Sequence, residues 1–284
     1  MSVVLKIILI NVLFLGLIIF IGLLINLSAD YVNIAGNMAL YVGILIVLVH
    51  TFNKKGIIIK GILGSLTIHK DELFKYVGIQ LLFVLFSITA IITVLNILFI
   101  TNEDIIREIF KNTSPGQVEN KSILVTIIGL SITITLAPLV EEFLFRGFLF
   151  NKWGESIGLF KAMLLSSFIF SLLHFNSGFI GHFFLGILYC TIYLKTRKLL
   201  IPILLHSLNN VIASVPMILS LLLTTNSIPS DDLGKYINQI SFVLNTGTIM
   251  FIFVTPLVIY VLRILYPKGI SATPYSINLL SRLY

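Results

Sequence analysis

Eight runs of roughly twenty apolar residues constrain this chain more than any other feature, because that is the length an α-helix needs to cross the hydrocarbon core of a bilayer. They lie near Val3–Leu27, Tyr31–Phe52, Leu73–Ile100, Ser122–Trp153, Leu159–Phe175, Phe179–Leu194, Leu199–Leu223 and Ile240–Tyr266. A soluble protein with many buried helices is excluded by composition: 57% of the 284 residues are hydrophobic and only 11% are charged. An ordinary soluble domain carries about 25% charge. No soluble domain fits between the runs, and no internal repeat or low-complexity tract appears. The expected fold is therefore all-α: a polytopic membrane protein forming one membrane domain over 1–284, with about eight transmembrane helices around an intramembrane polar cavity. The first run is longer than a signal-peptide core and has only Lys6 as a basic start, so it reads as a retained helix. The stretch Gly56–Lys70 is apolar with Lys60, His69 and Lys70 at intervals, which suits a helix lying on the membrane surface.

The net charge of +7 is not the mark of a nucleic-acid binder, since the basic residues are scattered between apolar runs instead of clustered on one face. It has the pattern of membrane orientation. With the amino terminus inside, 15 of the 19 Lys and Arg residues fall on inner segments. The outer loops keep Arg107, Lys111, Lys121 and Lys235, beside the acids Asp30, Glu103, Asp104, Glu108, Glu119, Asp231 and Asp232. This predicts a multi-pass protein of the plasma membrane with both termini cytoplasmic. The single cysteine, Cys190, excludes an intrachain disulfide and reads as a packing residue.

Chemistry begins where charge enters the apolar runs. The fourth run contains Pro138, Glu141, Glu142, Arg146 and Gly147. Each charge costs about 2.5–3.5 kcal/mol at the centre of a lone transmembrane helix, so such residues are functional candidates. Glu142 and Arg146 share a face and can pair. Glu141 lies about 100° round the helix and is free to face another partner. Pro138 removes a backbone hydrogen bond just upstream, letting the helix bend and open a cavity near the acids. Two other runs supply partners: His174, four residues after Phe170, and His206 with Asn210 on one face. An isolated intramembrane histidine is more often a packing partner than a catalyst. His50, His69 and His182 read as interfacial residues.

Three motifs in order, Glu141-Glu142-x-x-x-Arg146, Phe170-x-x-x-His174 and His206-x-x-x-Asn210, resemble the CPBP intramembrane proteases. That family includes the type II CAAX prenyl endopeptidases and bacterial bacteriocin-processing and self-immunity proteins. The resemblance extends from Thr133 to Asn210, with a family-like catalytic core near 122–223. It implies an endopeptidase that hydrolyses a peptide bond with water activated by Glu141 and His174. His206 and Asn210 would then donate to the oxyanion, with Glu142, Arg146 and Phe170 in support. The residue types suit that chemistry, because a carboxylate beside an imidazole in a poorly solvated cavity can take a proton from water and pass it to a leaving amine. No Gly-x-Ser-x-Gly elbow and no His-Glu-x-x-His zinc helix is present. Glu141, His174 and His206 can ligate zinc, so a zinc enzyme is the alternative to the favoured site without a cofactor.

Two rival functions share these features: a non-catalytic immunity or assembly protein on the same fold, and a proton-coupled transporter, which lacks support from inverted repeats. The expected partners are the lipid bilayer and a membrane-associated protein or peptide, not nucleic acid. A chain rich in Ile, Asn and Lys looks like the product of an AT-rich bacterial genome, where a prenylated substrate is not expected. A peptide precursor, secreted signal or membrane-protein tail fits better. Counting ~1.5 Å per residue from inner helix ends near Trp153, Gly158 and Lys198 puts Glu141 and Asn210 ~18 Å deep, His206 ~12 Å and His174 ~24 Å. His174 is the outlier.

Overall fold

The computed structural model describes residues 3–102, 123–222 and 233–281, and among these every regular element is helical. In chain order they are α1 (Val3–Leu24), α2 (Ala29–Lys55), α3 (Ile59–Leu63) and α4 (Lys70–Thr101). There follow α5 (Ile123–Ile157), α6 (Leu159–Leu173), α7 (Phe179–Thr196), α8 (Leu200–Leu222), α9 (Leu233–Leu265) and α10 (Pro274–Leu280). Each apolar run of the sequence corresponds to one helix, α3 and α10 being additional. Among the described residues six helices, α2, α4, α5, α7, α8 and α9, contain stretches long and apolar enough to cross a membrane. The apolar stretch Val12–Leu24 of α1 and the helix α6 are shorter. Large side chains cover the outside, with Phe253 76% and Leu23 73% exposed, a surface suited to lipid and not to water. The multi-pass, all-helical architecture stands. The charges Glu103, Asp104, Arg107, Glu108, Lys111, Glu119, Lys121, Asp231, Asp232 and Arg282 lie outside the described residues.

The helix α5 is not uniform. It is π-helical over Ile132–Leu136 and again over Phe143–Phe150, on both sides of the acidic pair. Such widened turns are rare and concentrate at functional sites. In the first of them the Ala137 amide bonds the Ile132 carbonyl. The next bond of that pattern would join residue 138 to Thr133, but Pro138 has no N–H. Asn210 from α8 supplies the donor instead, its Nδ2 lying 2.8 Å from the Thr133 carbonyl oxygen.

Gly158, at φ 86°, turns α5 back into α6, a conformation that glycine adopts without steric cost. This turn corrects the depth reading from the sequence. The inner end of α5 lies at Ile157 and not near Trp153, so Glu141 precedes Gly158 by seventeen positions and His174 follows it by sixteen. The two arms of the hairpin bring both residues to one level.

The surface helix expected over Gly56–Lys70 is also corrected. Only Ile59–Leu63 is helical, and Ile62 is buried at 1% exposure. Its carbonyl accepts from Tyr193 Oη at 2.7 Å, and the Leu63 carbonyl accepts from the Leu199 amide at 3.0 Å. The helix α10 covers this turn from the other side, with Asn278 Nδ2 donating to the Gly61 carbonyl at 2.9 Å. A backbone engaged on so many sides is wedged into the protein, not floated on lipid.

Candidate active site

The acidic pair splits into two roles. Glu142 is fully buried, and one oxygen, Oε1, accepts from Arg146 Nη1 at 2.8 Å and lies 2.9 Å from His206 Nδ1. Arg146 is equally buried, with its guanidinium carbon 4.6 Å over the Phe170 ring and 5.3 Å over that of Tyr189. Its Nη2 reaches the Gly186 carbonyl at 3.3 Å. A side chain at Gly186 would meet Cβ of Ser167 at 2.8 Å, so glycine is what lets α7 come close to α6 here. A charge this deep persists only when paired and hydrogen-bonded, and Arg146 has a carboxylate, a carbonyl and two aromatic faces.

Glu141 faces a different space, as the helical geometry of the sequence implies. Its Oε1 accepts from the hydroxyl of Tyr41, on α2, at 3.2 Å. Its Oε2 is buried and has no hydrogen-bond partner. That oxygen lies 3.8 Å from Nε2 of His174 and 3.8 Å from Nε2 of His206. Each imidazole is fixed through its other nitrogen: His174 Nδ1 lies 2.9 Å from the Phe170 carbonyl, and His206 Nδ1 faces Glu142. A carbonyl can only accept, so His174 carries a proton on Nδ1, and its Nε2 faces Glu141. Phe170 packs edge-on against His206, with centroids 5.6 Å apart, and lies 4.6 Å from the ring of His174.

Asn210 enters the same cluster through a polar relay. Gln80 Nε2, on α4, donates to Asn209 Oδ1 at 3.3 Å, Asn209 Nδ2 donates to Asn210 Oδ1 at 3.5 Å, and Asn210 donates to Thr133 as above. One of its two amide protons remains for another acceptor. All seven sequence-selected residues, Glu141, Glu142, Arg146, Phe170, His174, His206 and Asn210, are thus carried by α5, α8 and the hairpin partner α6 with the turn that ends it.

Sequence reasoning missed four others. Tyr41 and Gln80 come from helices whose apolar runs carry no charge at their centres, and Tyr189 stacks on His206 with centroids 5.5 Å apart. His182, read from the sequence as interfacial, instead stacks on His174 at 4.5 Å and 11°, its Nδ1 held 2.8 Å from the Gly178 carbonyl. The signal for Tyr41 was present as a row of polar residues at helical spacing in α2.

Among the described residues no group of three or more His, Cys, Asp or Glu is arranged to hold a metal ion. The separations of 3.8 Å between Glu141 Oε2 and the two Nε2 atoms exceed hydrogen-bond length.

The fold and this cluster define a multi-pass helical membrane protein with a buried Glu, His and Arg site. Residues 123–212 match the family model described as type II CAAX prenyl endopeptidase, Rce1-like, and that segment contains all seven site residues. A curated relative, the membrane-embedded CAAX protease MroQ of Staphylococcus aureus (strain USA300), is 32% identical over 111 residues. That stretch covers 37% of this chain and 44% of the relative, so the chain spans less than half the length of the protein it matches. No solved structure matches the chain.

Proposed function

We propose that this chain is an intramembrane endopeptidase that hydrolyses a peptide bond in a membrane-associated protein or peptide precursor. One observation carries the reading: the unpartnered Oε2 of Glu141, buried, with two imidazole Nε2 atoms at 3.8 Å on either side. Glu142 already serves Arg146 and His206, so Glu141 is the acid left to face the reacting space.

In the proposed reaction a water bound to Glu141 Oε2 gives its proton to that carboxylate as its oxygen attacks the carbonyl carbon of the scissile bond. His174 Nε2 accepts the second water hydrogen and orients the attack. The carbonyl π electrons move to oxygen, and the resulting oxyanion receives hydrogen bonds from His206 Nε2 and the remaining amide proton of Asn210. For His206 to donate there, both ring nitrogens must carry protons. Two carboxylates and one guanidinium sum to one negative charge, which an imidazolium beside Glu142 balances. The C–N bond then breaks, Glu141 passes its proton to the leaving amine, and a new carboxylate and a new amine separate. Tyr41 and the Glu142–Arg146 pair position the acid and the imidazole without touching the reacting atoms.

The charge asymmetry supports an orientation with both termini on the cytoplasmic side. The reading is tested by terminal-peptide proteomics on cells carrying the wild-type chain or Glu141→Ala. New termini that disappear in the variant support it and identify the substrate, whereas full biological effect in Glu141→Ala would leave a non-catalytic binder in its place.

A further inference from the structure

A groove of about 370 Å³ runs between α2, the outer turns of α5 and the later half of α8. One wall is polar. Asp30, Asn33, Asn37 and Tyr41 line it from one face of α2, at steps of three and four residues. At its inner end the stripe reaches the site, for Tyr41 is the residue that donates to Glu141 and Thr133, whose carbonyl holds Asn210, lines the same groove. Asn33 and Asn37 are exposed, and their carboxamides bond no other described side chain. Polar groups on a membrane helix face a cavity, a partner or water, not lipid. A carboxamide also offers the same donor and acceptor as a peptide bond.

We propose that this groove receives the substrate as an extended polypeptide that enters from the amino-terminal end of α2 and sets a basic residue against Asp30. Among the described residues, Asp30 is the only charged one lining the groove. The helix rises ~16 Å from Asp30 to Tyr41, and an extended chain covers that span in about five residues. The Lys or Arg therefore lies about five positions from the scissile bond, with the intervening peptide groups along Asn33 and Asn37. Ile34, Val125 and Leu130 form apolar wall that accepts aliphatic side chains between them. In the proposed orientation the groove opens on the outer face.

This specificity rests on the endopeptidase reading, and the test separates the two. Labelled alanine-rich peptides of about ten residues, long enough to fill the groove, carry a single Lys or, in a matched set, a single Glu. Their binding to full-length Glu141→Gln protein is measured in lipid nanodiscs, where no cleavage intervenes. The Lys peptides are expected to bind about threefold to fivefold more tightly than the Glu peptides, and Asp30→Lys to reverse that order. Asn37→Leu is expected to weaken both sets. Variants are compared only after their thermal unfolding matches that of the parent. An unchanged order in Asp30→Lys overturns the groove assignment. With otherwise wild-type protein the cleavage position, mapped by mass spectrometry, moves with the Lys and stays about five residues from it. Charge-reversed binding without any cleavage would overturn the endopeptidase reading while leaving the groove in place, and cleavage at a position independent of the Lys would overturn the groove alone.

Discussion

His206 and Glu142 meet at 2.9 Å, on the same carboxylate oxygen that Arg146 reaches at 2.8 Å. One buried acid thus fixes both a guanidinium and an imidazole, while its neighbour Glu141 turns to the reacting space. Glu142→Gln strips the counter-charge from Arg146 in a fully buried site, and breaking such a pair costs about 3–5 kcal/mol. The variant is expected to fall in membrane abundance as well as in activity. Glu141→Gln keeps size and hydrogen bonding, so it is expected to accumulate normally and cleave nothing. Quantified membrane extracts beside a cleavage assay check both, and normal cleavage by Glu141→Gln would remove the base assignment.

Asn210→Ala removes one proposed oxyanion donor. Turnover is expected to fall by ~10²–10³ while substrate binding changes little, so the variant should retain bound substrate in a pull-down. Single-turnover kinetics together with direct binding distinguish this from a general loss of structure.

Tyr41→Phe deletes the hydroxyl that holds Glu141 Oε1 at 3.2 Å and leaves the ring in place. A hydrogen bond to a charged group is worth about 1.5–3 kcal/mol, so activity is expected to fall about tenfold or more with little change in thermal unfolding. Wild-type turnover in Tyr41→Phe would show that the carboxylate needs no such hold.

Purified protein is expected to cleave its substrate undiminished in the presence of a chelator. In a zinc enzyme, loss of His174 or His206 would empty the site and chelation would silence the wild type. Inhibition by chelator, reversed by added zinc, would replace the water-activating scheme.

Reporter fusions after Lys55, Lys198 and Tyr284 are expected to read cytoplasmic, and fusions after Glu108 or Asp232 external. An external reading at Tyr284 would break the even number of crossings.

The membrane class and the central cluster were legible because charge inside an apolar run is so costly that it stands out. Glu141, Glu142 and Arg146 could be found that way, and the spacing of the Phe170-x-x-x-His174 and His206-x-x-x-Asn210 motifs picked out the rest. Tyr41, Gln80 and Tyr189 were not, since an uncharged polar residue in a transmembrane helix is common and only tertiary contact decides whether it supports a site. His182 lies near the start of its helix, where an interfacial position and one stacked on His174 have the same sequence pattern. The wedge around Ile62 was hidden for another reason: an apolar stretch with spaced lysines reads as amphipathic until Tyr193 and Asn278 are seen to hold its carbonyls. The π-helical turns leave no mark on hydropathy, and Pro138 announces a disturbed helix without saying which way it widens.

The bond from Asn210 to the Thr133 carbonyl has a mechanical meaning. A peptide group of the acid-bearing helix is completed by a side chain of the helix that carries His206, in place of the backbone donor that Pro138 cannot supply. Sliding α8 along α5 by a single turn would part that bond and, with it, the link from His206 to Glu142. Carriers work by rocking one bundle against another around a fixed site, and here the two bundles are sewn together at the site itself. The bond thus ties α8 to α5 at the level of the acids, so a displacement of either helix there would carry the other with it.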